Sequence, residues 1–176
     1  MIDFSQDYFA LFGLPPRYRF DADRLDAAYR ALQGAVHPDR FAAAGESERR
    51  IALQSSARVN EAYRALKDPV ARAQYLLSLH GVDATAETDT ALPLDFLERQ
   101  LERREAVEEA RVERDAPRLE ALLREVRGEI AALEAALADT LDGERRWDTA
   151  RDRVRELQFL AKLAADIDAA VTGIDD

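Results

Sequence analysis

Residues 21–66, DADRLDAAYRALQGAVHPDRFAAAGESERRIALQSSARVNEAYRAL, decide the fold. Leu25, Ala28, Tyr29 and Leu32 recur at helical spacing in the first half, and Ile51, Ser55, Val59, Ala62, Tyr63 and Leu66 in the second, so each half makes an amphipathic helix. Asp21 is a good N-cap for the first, with Phe20 and Leu25 at the two staple positions around it. That helix must end near Val36, because the ring of Pro38 disfavours α geometry at His37. His37 to Phe41 therefore leaves as a loop running to Gly45, and the second helix spans Glu46 to Leu66. Two helices joined this way pack as an antiparallel hairpin. A lone His-Pro-Asp is usually only a turn, but at this tip a rigid proline would present an imidazole and an acceptor-only carboxylate to a partner.

Outward from the hairpin, Tyr8 to Phe12 form a short helix that stops at Gly13-Leu14-Pro15-Pro16, and Asp68-Pro69 starts another that ends at His80 before Gly81. His80 reads as a favourable charge at that helix end. Residues 82–93 have linker composition, which divides the chain into an N-terminal domain at 1–81 and a second domain at 94–176. The second holds three long helices, Leu94 to Arg114, Pro117 to Leu141 and Trp147 to Val171. The middle one carries Leu119, Leu122, Leu123, Val126, Ile130, Leu133, Leu137 and Leu141. The last carries Trp147, Ala150, Val154, Leu157, Ala161, Ala164 and Val171. Trp147 reads as core. The expected fold class is all-α, a helical hairpin domain followed by a three-helix antiparallel bundle.

Of 176 residues, 47% are hydrophobic and 34% charged, which suits one or two globular domains. There is no cysteine, which removes disulfides, thiolate metal sites and a Cys nucleophile, and neither His37 nor His80 stands in a Glu-x-x-His motif. No metal and no cofactor are expected. The net charge of -10 argues against a nucleic-acid or anionic-membrane partner. It is uneven: residues 1–80 hold 11 Lys/Arg against 10 Asp/Glu, and residues 81–176 hold 14 against 25, which suggests modules with different partners. No signal peptide or long apolar run is present, so a cytoplasmic location is expected. Carboxylates abound, but no Gly-rich phosphate loop or nucleophile-base set accompanies them, so an enzyme is the weakest reading.

Several apolar residues fall off the expected stripes. On the first bundle helix Phe96, Gln100, Val107 and Ala110 make one face, and Leu94, Leu97 and Leu101 make a second that runs into Arg104, Glu105 and Glu108. Phe159 lies about 200° from Leu157 on its helix and should be partly exposed. Two readings stand: an apolar patch bordered by carboxylates that binds a protein, or residues that pack against the N-terminal domain or lie scattered on the surface.

The short helix, the hairpin with His37-Pro38-Asp39 at its tip, Asn60-Glu61-Ala62-Tyr63-Arg64-Ala65-Leu66 and Asp68-Pro69 together resemble a J domain, the module that docks on heat-shock ATPase chaperones. More narrowly, residues 7–15 (DYFALFGLP), 72–81 (RAQYLLSLHG), 96–102 (FLERQLE) and 154–160 (VRELQFL) resemble the HscB family, the J-type co-chaperones of iron-sulfur cluster assembly. The resemblance covers both modules. It implies that the J domain engages the ATPase HscA and stimulates its hydrolysis through His37, Pro38 and Asp39, helped by Arg24, Arg30 and Arg40. It implies that the bundle binds the iron-sulfur scaffold IscU through Leu97, Leu101, Glu102, Glu105, Glu109 and Phe159. A monomer is expected. Two features depart from the family's pattern: Glu98 stands where a member has methionine, and the basic set on the hairpin is diluted by Asp23 and Asp26. The alternatives are a J-type protein for a different client and a helical adapter that dimerises through its heptad-like helices.

Overall fold

In a computed structural model that describes residues 3–41, 44–84 and 92–175, every regular element is helical and no strand occurs among the described residues. The chain divides into two compact units, residues 1–76 and 77–176. Residues 42–43 of the expected tip loop and 85–91 of the expected linker lie outside the described residues.

The first unit contains α1 (Tyr8–Leu11), α2 (Ala22–Val36), a 3-10 turn (Pro38–Phe41), α3 (Glu46–Lys67) and most of α4 (Pro69–Leu79). Aspartates start α1, α2 and α4: Asp7 accepts from the Ala10 N–H (2.9 Å), Asp21 from Asp23 and Arg24 (3.0 and 3.2 Å) and Asp68 from Ala71 (2.7 Å). α1 stops at Gly13 (φ +63), where the Leu14 N–H donates to the Phe9 carbonyl and the Gly13 N–H to Ala10; α4 stops the same way at Gly81 (φ +76). Phe9, Leu25, Val59, Ala62, Leu66 and Ala73 are fully buried, and Tyr8 stacks on Tyr75 at 4.1 Å.

Polar contacts fix the hairpin's direction. Asp26 accepts from Tyr63 (3.0 Å) and Lys67 (2.8 Å), while Asn60 accepts from Tyr29 (2.9 Å) and Gln33 (2.8 Å). Partners descend α3 as they ascend α2, so the two helices are antiparallel, with the Tyr29 and Tyr63 rings stacked between them at 3.9 Å.

The second unit is built on α5 (Leu94–Val112), α6 (Ala116–Ala138), a π turn (Asp139–Glu144) and α7 (Trp147–Asp175). Its core gathers Phe96 and Ala110 from α5, Leu119, Leu123 and Val126 from α6, and Leu160, Leu163 and Ile167 from α7. Between α5 and α6, Arg114 takes the left-handed conformation (φ 55), and Asp115 caps α6 by accepting from the Arg118 N–H (3.0 Å).

The last helix runs to Asp175 rather than stopping at Val171, and three further details differ from the expectation. α6 ceases to be α-helical at Ala138 rather than Leu141, because the π turn is held from outside its own helix. Thr140 donates to the Ala136 carbonyl (2.6 Å), and Arg153 of α7 donates to that carbonyl (2.9 Å) and to Thr140 Oγ1. The buried stripe of α7 runs through Leu157, Leu160, Leu163 and Ile167, leaving Ala161 and Ala164 half-buried; the leucine register removes more apolar area from water. Trp147 is half-buried and stacks on His80 at 3.9 Å, so two side chains read separately make one contact within this unit. No helix among the described residues is long and apolar enough to cross a membrane.

Candidate functional site

The hairpin tip begins where α2 ends. His37 is the C-cap (φ -58, ψ 128), an extended conformation of the kind a following proline imposes. Its carbonyl accepts from the Arg40 N–H at 3.1 Å, which closes a 3-10 turn over Pro38–Phe41 where the sequence suggests an open loop. The Asp39 N–H donates to His37 Nδ1 (3.3 Å), and Asp39 Oδ2 lies 3.5 Å from the same nitrogen. The side chains of His37 and Asp39 are 53% and 88% exposed.

Arg40 turns back along α2, donating from Nη1 to the Gly34 carbonyl at 2.8 Å. That satisfies one of the carbonyls a helix end leaves open and sets a cation where the helix dipole favours one. His37, Pro38, Asp39 and Arg40 are thus one turn of chain. Arg30 and Arg24 are exposed on α2, about 10 and about 20 Å back along its axis, and are not gathered at the tip. Beneath the tip a cavity of about 370 Å³ opens between Leu32, Val36, Phe41, Ile51 and Ala52; the small Ala35 and Ala52 are its only trace in the sequence.

On α5 the inner face is Phe96, Gln100 and Ala110, all buried. The outer face exposes Leu94, Leu97 (40%) and Leu101 (61%). Phe159 approaches from α7. It is half-buried, edge-on to Phe96 (centroids 5.6 Å apart, planes at 80°), with the Arg104 guanidinium 4.9 Å above its ring. It does not lie opposite its own core stripe, because that stripe passes through Leu163, one turn further on, and Phe159 sits at its margin.

The carboxylates divide along the helix. Glu98, Glu102 and Glu105 are exposed and make no ion pair among the described residues, whereas Glu108 meets Arg111 (3.5 Å) and Glu109 and Glu113 both meet Arg118 (2.9 and 3.5 Å). Of the six residues expected on this face, Leu97, Leu101, Glu102 and Glu105 share the outer side of α5 and Phe159 flanks it, while Glu109 is committed to α6.

Under this face lies a polar layer that sequence reasoning missed: Arg103 donates to Gln100 Oε1 (2.8 Å) and to Glu129 (2.9 Å). Burial pushes the nearby Glu156 carboxyl above its ordinary value, against the lowering pull of Arg99 and Arg153. No group of His, Asp or Glu suited to a metal ion occurs among the described residues.

These two surfaces fall within matches to known families. A DnaJ-domain family model matches residues 7–75, and one described as the HSCB C-terminal oligomerisation domain matches residues 92–168. The "Co-chaperone protein HscB homolog" of Azoarcus sp. is 47% identical over 175 residues, 99% of each chain, and that of Cupriavidus taiwanensis is 50% identical over 172 residues, 98% of this chain and 97% of the other. Among solved structures, chaperone HscB from Vibrio cholerae (36% identity, TM-score 0.85, 96% of this chain and 99% of that one) and human co-chaperone HscB (25% identity, TM-score 0.89, 96% and 83%) share the fold. With relatives this similar along nearly its whole length, and with both domain families matched in order, the chain belongs to the HscB family of J-domain co-chaperones.

Proposed function

We propose that the chain is an adapter: its J domain, residues 1–81, engages an HscA-type chaperone ATPase and stimulates ATP hydrolysis, and its bundle, residues 94–176, brings in the scaffold IscU for iron-sulfur cluster assembly or transfer. The observation that carries this reading is the tip, where a closed 3-10 turn fixes His37 and Asp39 outward and Arg40 beside them. Such groups act by differential binding: contacts better satisfied in the ATPase's hydrolysis-competent arrangement shift its population toward that state. Delivery of the scaffold by a second module raises its effective concentration at the ATPase. The carrier needs no cluster ligands, which fits a chain without cysteine. The compartment this implies is the cytoplasm.

The test is a steady-state ATPase assay of the cognate chaperone with this protein, with and without apo scaffold. Synergy is expected, and His37→Gln should abolish stimulation while scaffold binding persists. Unchanged stimulation by His37→Gln would sink the role assigned to the tip.

A second reading, self-association through the bundle, draws on the description of the matching C-terminal family. Against it, the exposed leucines of α5 stand beside Glu98, Glu102 and Glu105, unpaired among the described residues, which would repel their copies in a symmetric contact. Light scattering on the purified chain separates monomer from dimer.

A further inference from the structure

We propose that Arg104 is a positioning residue of the client face, holding the Phe159 ring in place for the docking partner; the proposal rests on the reading that this face binds the scaffold. Arg104 follows Leu101 on the same side of α5, with Glu105 adjacent and Glu108 one turn on. An exposed arginine so surrounded ordinarily pairs with a carboxylate. Here its guanidinium makes no hydrogen bond or ion pair within the described residues and lies 4.9 Å over the Phe159 ring. Glu108 is taken by Arg111, and an arginine placed four residues before a glutamate is the weaker orientation for such a pair. A planar, weakly hydrated guanidinium is suited to an aromatic face.

The ring is then bracketed, with buried Phe96 edge-on against it and Arg104 over its face. A half-buried phenylalanine fixed before docking spares the complex the cost of ordering it.

Charge and positioning make opposite forecasts. Glu98, Glu102 and Glu105 give the outer side of α5 a net negative charge, so a partner matched to this face is cationic, and deleting the Arg104 guanidinium as a mere charge would tighten the complex. Deleting a residue that holds Phe159 loosens it.

The experiment is titration calorimetry of the full chain against apo IscU-type scaffold, using wild type, Arg104→Ala, Phe159→Leu and the double variant, with a thermal melt of each. Arg104→Ala is expected to weaken binding about three- to five-fold with its melting temperature unchanged. In the Phe159→Leu background the same substitution should cost less than about two-fold, because the ring it acts through is gone. Unchanged or tighter binding of Arg104→Ala, or an equal loss in both backgrounds, overturns the proposal alone. Absence of binding by the wild type removes the client reading and this proposal with it.

Discussion

Truncating the two exposed leucines of α5 separates binding from folding by rank order. Leu97 retains 40% of its surface and Leu101 61%, and only surface still exposed in the free chain is available for a partner to cover. Burying a whole leucine side chain contributes about 2.5 kcal/mol, so complete coverage is worth about 1 kcal/mol at Leu97 and about 1.5 kcal/mol at Leu101. The fraction already buried contributes to folding instead, about 1.5 kcal/mol at Leu97 and about 1 kcal/mol at Leu101. Leu101→Ala should therefore weaken scaffold binding about ten-fold with the smaller loss of stability, and Leu97→Ala should weaken it about five-fold with the larger. The double variant should lose about 2.5 kcal/mol of affinity if the residues act independently. Calorimetry with the scaffold and urea unfolding of the same proteins measure both columns. Wild-type affinity for Leu101→Ala, or the opposite order in either column, would refute the reasoning.

Two further outcomes follow from the fold. Asp26 is held below its ordinary value of 3.8 by hydrogen bonds from Lys67 and then Tyr63, so its contribution is present at neutral pH and lost as pH falls through the folded value. Melting temperatures of Asp26→Asn should lie below wild type at pH 7 and converge on it in acid, and a constant gap would contradict the clamp. Arg145 holds a left-handed backbone (φ 53), which strains any residue with a Cβ, so Arg145→Gly should stabilise by about 0.5–1 kcal/mol, seen as a higher urea midpoint at unchanged slope.

The helices were legible because their signals are local: the spacing of Leu25, Tyr29 and Leu32, the caps Asp21 and Asp68, and the stop at Gly81 all act within a turn or two. Most of what escaped depends on residues distant in sequence. A glycine, Gly143, falls in the turn after α6, yet the left-handed residue there is Arg145, and the π turn is held by Arg153 from the next helix. The α7 pattern permits two registers after Leu157, and the choice of Leu160, Leu163 and Ile167 belongs to the neighbours that bury them. The 3-10 closure of the tip escaped for another reason: the bond from the Arg40 N–H to the His37 carbonyl is local, but the same residues suit an open loop as well. The outward placement of Leu97 and Leu101 was readable because Phe96, Gln100 and Ala110 already claim the inner face of α5.

The pairing of carboxylates decides more than their number. A count of charges makes the whole C-terminal half an acidic surface, equally attractive to any cation. Along α5, however, Arg111 and Arg118 answer Glu108, Glu109 and Glu113, which leaves the field of the far end partly cancelled at close range. Glu98, Glu102 and Glu105 have no such answer among the described residues and stand beside the exposed leucines. A cationic partner that sets its charges against these three also covers Leu97 and Leu101. One that settles on Glu109 must first displace Arg118 and finds no comparable leucine pair there. Electrostatic steering and apolar burial therefore select the same stretch of helix, the arrangement expected of a specific docking face rather than a generally acidic one.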